Sequence, residues 1–312
     1  MASPQTHPPT GSYTAQQTLA SEDGAGLGAS AGSRSAGAHT GGTGVPGEPG
    51  IPETGLGATG SREGVAVGLD RRPADDLVIA GLVPMSTVDW PDHLTATVFL
   101  QGCPWNCFYC HNRDLIPART PGQVEWEEVR ALLRRRRGLL DGVVLTGGEA
   151  LRQDALADAA REVIDMGFQV GLHTAGPYPR RLRDMVGAGL VDWVGLDIKA
   201  LPEHYGQVVG RESAAAKAWE SLEVLIEAAG RDGLDFEVRT TVVPGDVTAD
   251  DAVEVARRVH AAGARVYALQ QARSEGTSGE FDVVAPGWDG TCERMAERIE
   301  SLGWERFTYR PA

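Results

Sequence analysis

The chain has 312 residues, of which 42% are hydrophobic, so it can form one large domain or two ordinary ones with a buried core. Its formal net charge of -14 opposes binding to a phosphate backbone, and we expect no nucleic-acid partner. No run approaches the roughly 20 consecutive apolar residues of a membrane-spanning helix, and the first residues lack a secretory signal pattern, so we expect a cytoplasmic protein with no membrane partner.

Residues 1–75 differ in composition from the rest of the chain. Glycine occupies 14 of the first 60 positions, and Pro, Ser, Ala and Thr fill much of the remainder. A segment with so few apolar residues cannot bury enough surface to offset the entropy lost on ordering. We therefore expect a disordered tail over 1–75, with a docking tail as the functional alternative, and a folded domain over 76–312.

Within the folded domain, short β-rich runs alternate with stretches of helical spacing. This alternation predicts a parallel sheet covered by helices, either as an open, incomplete barrel or as a doubly wound sheet. Thr248 with Asp251 resembles a capping box at the start of one helix. The predicted strands are 96–100, 142–145, 169–173, 193–198, 236–243 and 265–269, and the predicted helices are 124–136, 154–164, 180–186, 214–229, 248–262 and 292–302.

The first of these strands leads directly into GCPWNCFYCHN, residues 102–112, which contains three of the four cysteines. Such crowding differs from the spread-out cysteines of a disulfide-stapled secreted domain and favours metal binding in a reducing compartment. A structural zinc site would need a fourth ligand, for which His111, Asp114 and Cys292 are candidates. An iron-sulfur cube held by Cys103, Cys107 and Cys110 would instead leave one iron open to a substrate.

The C-x3-C-x2-C spacing, with aromatic Tyr109 just before the third cysteine, resembles the signature of radical S-adenosylmethionine (radical SAM) enzymes. That resemblance implies an open partial (β/α)6 barrel of radical SAM type, preceded here by the disordered N-terminal tail. It also implies one [4Fe-4S] cluster on Cys103, Cys107 and Cys110, with S-adenosylmethionine chelating the fourth iron. Reductive cleavage of that cofactor would release methionine and a 5'-deoxyadenosyl radical.

A second motif, LTGGEAL at residues 145–151, follows the next predicted strand. Alone, Gly-Gly after a strand indicates only a turn. Downstream of the cysteine loop, Gly147, Gly148 and Glu149 resemble the family's Gly-Gly-Glu motif, which holds the methionine amino group. Ala150 departs from the Pro that is common there, but leaves the three motif residues in place.

Three further strand ends carry residues for which the resemblance implies a role in cofactor binding. Thr174 stands where the family has a residue near the ribose, although Ala175 departs from the usual Thr-Asn-Gly pattern. Asp197 and Lys199 match an Asp-x-Lys that borders the methionine site, with a surface ion pair as the alternative. Arg239 matches a fifth-strand arginine that lies close to the cofactor, with a structural role as the alternative.

The segment YCHNRD and the leader at residues 81–103 resemble glycyl-radical enzyme activases, specifically activators of anaerobic ribonucleoside-triphosphate reductase. The leader carries a Ser-x-x-Asp-aromatic-Pro stretch before the first strand. Residues 111–146 contain no cysteine, which excludes an inserted ferredoxin-like cluster there. The implied substrate is a glycine of a partner enzyme, and the implied electron donor is a low-potential protein such as flavodoxin or ferredoxin.

Three alternatives remain open at this point. The first is an activator of the pyruvate formate-lyase type. The second is a radical SAM enzyme that acts on a small molecule, such as the 7-carboxy-7-deazaguanine synthase type. The third is a non-catalytic zinc-binding domain.

Overall fold

A computed structural model describes residues 72–273, 277 and 285–312. Its centre is one sheet of eight strands in which spatial order follows chain order. The first strand pairs antiparallel with the second, and every later pair is parallel. The strands are β1 (Ile79–Ser86), β2 (Thr95–Leu100), β3 (Gly142–Gly147), β4 (Gln169–Thr174), β5 (Trp193–Asp197), β6 (Asp235–Val242), β7 (Val266–Gln271) and β8 (Arg306–Arg310).

Helices connect the parallel strands. The described helices are α1 (Trp126–Arg135), α2 (Leu156–Asp165), α3 (Pro179–Gly187), α4 (Tyr205–Val209), α5 (Ala214–Asp232), α6 (Val247–Ala262) and α7 (Trp288–Glu300), with short 3-10 turns at Ala74–Asp76, Arg113–Leu115 and Ala150–Arg152. In α1, the helical spacing read from the sequence is confirmed, because Trp126, Val129 and Leu133 are buried. The backbone N–H of Glu125 donates to Glu128 at 3.1 Å and so caps this helix.

The sheet topology decides between the two architectures that the sequence left open. A doubly wound sheet reverses its strand order at a switch point, whereas here each strand lies beside the next one in the chain. β1 and β8 lie at opposite ends of that order, so the described sheet is open. The prediction of an open partial barrel with six βα strands, β2 to β7, is confirmed. β1 and β8 add an edge strand on each side.

The start of the folded part differs from the expected boundary at residue 75. Ala74 is buried in the 3-10 turn Ala74–Asp76, and the N–H of Arg72 donates to Asp158 at 2.6 Å. Ala74 and the backbone of Arg72 therefore contact the barrel. The remainder of the predicted tail, residues 1–71, lies outside the described residues.

The predicted capping box at the start of α6 is wrong. Asp246 caps this helix, since its side chain accepts the N–H of Thr248 at 2.9 Å. The hydroxyl of Thr248 instead accepts the N–H of Val243 at 3.0 Å, and Asp251 binds the chain after β5. Both side chains join α6 to neighbouring loops, which local spacing does not reveal.

The leader stretch between β1 and β2 enters the barrel interior. The indole of Trp90 packs against Trp193 with a centroid distance of 5.6 Å. A Cβ at Gly142 or Gly171 would approach that indole to 3.2 or 2.7 Å, so these two glycines make room for it. The Asp-Trp pair of the leader therefore fills space inside the barrel, against the strands.

In the described part of the chain, no helix is both long enough and apolar enough to cross a bilayer.

Candidate functional site

The cysteine loop, residues 102–112, begins two residues after β2 ends at Leu100. This is the carboxyl edge of the parallel strands, where loops of βα folds converge. Cys107 is buried, Cys103 and Cys110 are half-buried, and no disulfide joins any of the four cysteines. Three thiols on one loop are thus available as ligands.

Burial governs the protonation of two of these thiols, those of Cys103 and Cys107. It raises the pKa of Cys103 to about 12, and the nearby carboxylate of Glu149 raises this pKa further. Burial also raises the pKa of Cys107, against the opposing effect of Lys199. Thiols in such surroundings ionise only when a cation stabilises the thiolate, as bound iron does. The donor set fits a cluster that supplies its own positive charge.

The candidate fourth ligands for zinc have other contacts. The thiol of Cys292, at the start of α7, hydrogen-bonds with Gln271 and Tyr309. The Nε2 of His111 accepts the N–H of Arg273 at 3.4 Å, which agrees with a loop hydrogen bond. Among the described residues, no three His, Cys, Asp or Glu side chains surround a point where one metal ion could bind.

Gly147 and Gly148 pack against the start of the cysteine loop. A Cβ at Gly147, whose φ is +124°, would lie 2.2 Å from the backbone of Leu100. A Cβ at Gly148 would lie 2.6 Å from the carbonyl oxygen of Gly102. The N–H of Gly148 donates to Leu100 at 2.9 Å, and that of Glu149 donates to Gly102 at 3.0 Å. The two glycines therefore do more than turn the chain: they bring Glu149 against the loop.

The carboxylate of Glu149 is buried and partly satisfied. Its Oε1 accepts the hydroxyl of Thr174 at 2.8 Å and the N–H of Leu151 at 3.2 Å. Its Oε2 accepts the N–H of Ala175 at 3.0 Å. Burial raises its pKa to about 7 despite these donors. Each carboxylate oxygen can accept about two hydrogen bonds, so Oε2 has capacity for one more donor.

Thr174 lies at the end of β4, where its side chain contacts Glu149. Its hydroxyl donates to Glu149 and accepts the N–H of Gly176 at 3.0 Å. Ala175 departs from the family pattern only in its side chain. The group that contacts the carboxylate of Glu149 is its backbone N–H, which the departure leaves unchanged. Thr174 thus orients Glu149, and contact with a ribose remains a prediction.

Asp197 and Lys199 form an ion pair of 3.1 Å at the end of β5. The Lys199 side chain is only 10% exposed, whereas that of Asp197 is 36% exposed, so the pair lies at the boundary between interior and solvent. Its Nζ lies 5.4 Å from the ring centroid of Tyr109 in the cysteine loop. Burial lowers the pKa of Lys199, but Asp197 and Tyr109 outweigh it and hold that pKa well above the usual value. Lys199 therefore presents a fixed positive charge beside the loop.

Arg239 lies in a different environment. Its Nε donates to Glu237 at 2.8 Å, its Nη1 lies 3.2 Å from His173, and its guanidinium stacks 5.1 Å from the Trp193 ring centroid. Arg310 of β8 binds the same Glu237 at 2.9 Å. We call Glu237, Arg239, Arg310 and His173 the interior ionic network. These contacts match the structural alternative for Arg239.

Sequence analysis missed one segment that contacts the cysteine loop. It follows Lys199 and contains α4, whose carbonyl groups accept hydrogen bonds from the loop backbone. Asp251, a conspicuous acid in α6, holds the start of this segment. The sequence did single out Asp251, but as part of a local capping box. Its contact with Leu201 instead joins residues 50 positions apart.

Comparison with known proteins finds a matching family and similar sequences. The sequence model of the Radical SAM superfamily matches residues 97–270. A Methanocaldococcus jannaschii protein named for the activation of glycyl-radical enzymes is 28% identical over 198 residues, which are 62% of this chain and 79% of that protein. The pyruvate formate-lyase-activating enzyme of Clostridium pasteurianum is 28% identical over 171 residues, which are 53% of this chain and 68% of that enzyme.

Solved structures share the fold. A radical SAM methyltransferase from Sphaerobacter thermophilus superposes with a TM-score of 0.55 at 17% identity, covering 72% of this chain and 67% of that one. Streptococcus suis SuiB bound to S-adenosylmethionine superposes with a TM-score of 0.53 at 9% identity, covering 68% of this chain. The present chain spans 48% of SuiB.

Proposed function

The chain belongs to the radical SAM superfamily, and on that premise we propose that it generates a glycyl radical on a partner enzyme. Members of the superfamily use a [4Fe-4S] cluster and S-adenosylmethionine. Support for the activase role comes from the two relatives named for activation and from the Cys-His-Asn context of the cysteine loop.

Cys103, Cys107 and Cys110 would hold the cluster through three of its irons. When bound, the cluster and S-adenosylmethionine supply one-electron cleavage of a sulfonium and removal of a glycine hydrogen atom, so that one electron and one S-adenosylmethionine yield methionine, 5'-deoxyadenosine and the glycyl radical. The chain's own part is to place these reactants and exclude water.

Glu149 and Lys199 would recognise the two charged ends of the methionine group. The free acceptor position on Oε2 of Glu149 suits an ammonium, and an ammonium there would lower the raised pKa of this carboxyl. The fixed positive charge of Lys199, held by Asp197, suits a carboxylate. Tyr109 would pack on the cofactor between these groups, while Gly147 and Gly148 keep Glu149 close to the cysteine loop.

A single observation carries the cofactor-binding part of this proposal: a buried carboxylate with a spare acceptor site is bonded through its own backbone to the loop that holds three thiols. The same arrangement gives a non-catalytic zinc domain no use for Glu149 or Lys199. Both groups are costly to bury, and a zwitterionic ligand would complete their pairing.

We further propose anaerobic ribonucleoside-triphosphate reductase as the partner, on the resemblance of residues 81–103. The match to the Clostridium pasteurianum enzyme favours pyruvate formate-lyase as a second candidate. The low-potential electron donor would be of the flavodoxin or ferredoxin class. A reducing cytoplasm is the compartment that suits free thiols and such a cluster.

The test is electron paramagnetic resonance after anaerobic incubation of the reconstituted chain with S-adenosylmethionine, reduced flavodoxin and one partner at a time. We expect a glycyl doublet with the reductase and none with a variant of the reductase that lacks its radical glycine. A doublet only with pyruvate formate-lyase would move the assignment to that partner. Cleavage of S-adenosylmethionine without a doublet on either partner would refute the activase proposal while leaving the superfamily chemistry intact.

A further inference from the structure

The connection that follows Lys199 makes several contacts with the cysteine loop. We propose that residues 201–211, named here the loop clamp, set the conformation of the cysteine loop before a cluster binds. The N–H of Asn106 donates to Val209 at 3.0 Å, and the N–H of Phe108 donates to Val208 at 3.4 Å. The Nε of Arg211 donates to the carbonyl oxygen of Pro104 at 2.9 Å.

These hydrogen bonds satisfy backbone groups of the irregular cysteine loop. Backbone groups outside helices and sheets must find other partners, and those of the cysteine loop find them in the clamp. Asn106 and Phe108 flank Cys107, so the backbone is held on both sides of the central thiol. Inside the loop, the N–H of Cys110 bonds the carbonyl oxygen of Cys107 at 3.1 Å. This bond links the backbone of the second cysteine to that of the third.

Side-chain packing reinforces the backbone bonds. Trp105 of the loop packs edge-on against Tyr205 of α4, with ring centroids 5.8 Å apart. Both residues are buried, and Tyr205 is fully so. Lys199, just before the clamp, lies over Tyr109. The loop is therefore contacted on most of its length from Pro104 to Tyr109.

The clamp is itself fixed to the barrel. The carboxylate of Asp251 in α6 accepts the N–H of Leu201 at 3.0 Å and bonds Nδ1 of His204 at 2.9 Å. At the other end of the clamp, Gly210 adopts a φ of +70° and ends α4, which directs Arg211 back toward the loop. The loop clamp therefore connects the cysteine loop to the barrel through hydrogen bonds at both of its ends.

Preorganisation is the physical consequence. Ordering a residue's backbone costs conformational entropy, and a loop that is already ordered does not draw this cost from ligand binding. The loss of one hydrogen bond should shift the opening of the loop by about 2-fold to 10-fold, from a net contribution of about 0.5–1.5 kcal/mol per bond. The inference depends on the superfamily's cluster loop and not on the glycyl-radical proposal.

The first experiment compares Arg211→Ala with Arg231→Ala in the full chain. Arg231 is an exposed arginine of α5 that pairs with its neighbour Asp232. Arg231→Ala therefore removes the same single positive charge as Arg211→Ala. Hydrogen exchange of the 103–110 peptide, measured by mass spectrometry without metal, should be about 2-fold to 10-fold faster in Arg211→Ala only. After anaerobic reconstitution, chelator-driven iron loss should accelerate in the same variant.

A second pair perturbs the clamp backbone without removing a side chain. Gly210→Ala and Gly233→Ala place a side chain at nearly equal φ, +70° and +73°, and among the described atoms neither new Cβ would come closer than 3.7 Å to a neighbour. The left-handed strain is therefore the same, but Gly233 ends α5 away from the clamp. Only Gly210→Ala should accelerate exchange of the 103–110 peptide.

Two results would overturn the inference. One is a wild-type 103–110 peptide that exchanges, without metal, at the rate of an unstructured chain. The other is unchanged exchange in both Arg211→Ala and Gly210→Ala. Neither measurement uses enzymatic activity, so failure to form a glycyl radical would not affect the outcome.

Discussion

The cysteine edge of the barrel and the interior ionic network use similar residues in different ways. At the edge, Glu149 accepts three neutral donors and keeps a site for a fourth, and Lys199 has a single carboxylate partner. In the network, Glu237 binds both Arg239 and Arg310 and is fully buried. A charged group with spare hydrogen-bonding capacity suits a ligand, whereas charges that pair with each other hold the fold together.

Arg239 shows why this difference matters. It lies on β6, where the family resemblance implies a place close to the cofactor and a structural role is the alternative. Its guanidinium instead extends toward Glu237, Trp193 and His173, where burial and Arg239 hold the pKa of His173 well below the usual value. These contacts support the structural alternative, and a place of Arg239 close to the cofactor stays a prediction.

The largest effect should come from Cys107→Ala at the cysteine edge. Because the loss of one of three thiolates leaves two ligands, we expect no stable cluster and no 5'-deoxyadenosine formation. Iron and sulfide content after anaerobic reconstitution measures this. Cys292→Ser, which alters the buried thiol of α7, should keep wild-type iron content; equal iron in both variants would contradict the ligand assignment.

In the interior network, Glu237→Gln should destabilise the fold without removing the cluster. Removing one partner of a buried ion pair costs about 3–5 kcal/mol, since Arg239 and Arg310 are left without a countercharge. Urea unfolding of the metal-free chain gives the change. Glu305→Gln, which breaks an exposed pair with Arg265, should cost about 0–1 kcal/mol. Similar losses for the two variants would show that the network is not a stabilising core.

Gly148→Ala should affect the contact between the motif and the cysteine loop. Its Cβ would lie 2.6 Å from the backbone oxygen of Gly102, and relief of such overlap costs about 1–3 kcal/mol. We expect that loss in urea unfolding together with reduced iron incorporation. Gly187→Ala is the control, because no described atom lies within 4 Å of a Cβ there. Normal iron incorporation by Gly148→Ala would argue against a tightly fitted loop.

Glu149 should make the stability of the metal-free chain depend on pH. Its folded pKa of about 7 exceeds the ordinary 4.5, so the folded state binds more protons between these values. Stability of the metal-free chain should then fall as pH rises through that window, by no more than about 3 kcal/mol. Glu149→Gln should flatten this slope in urea titrations at several pH values. If Glu149→Gln kept the wild-type slope of stability against pH, a group other than Glu149 would be responsible for it.

Local patterns were sufficient for much of the barrel. The six strands β2 to β7 were found within a few residues because each is an apolar run, as in the buried residues of β2. The edge strands β1 and β8 escaped, since β8 is half-buried throughout and β1 contains both Gly81 and Pro84. Half-buried strands give weak apolar patterns, and a proline in a strand argues against its assignment.

The cysteine spacing, the Gly-Gly-Glu stretch and the order of strands and helices can be read from the chain because each depends on residues close together in sequence. Three other features could not be read from the chain, because they join residues that are far apart in sequence. They are the orientation of Arg239, the donors to Glu149 and the contact of the loop clamp with the cysteine loop. Asn106 and Val209, for example, meet through a backbone hydrogen bond that has no side-chain signature. Such pairings arise from how the strands pack into a barrel, and they determine which of the charged residues at the strand ends have capacity left for a ligand.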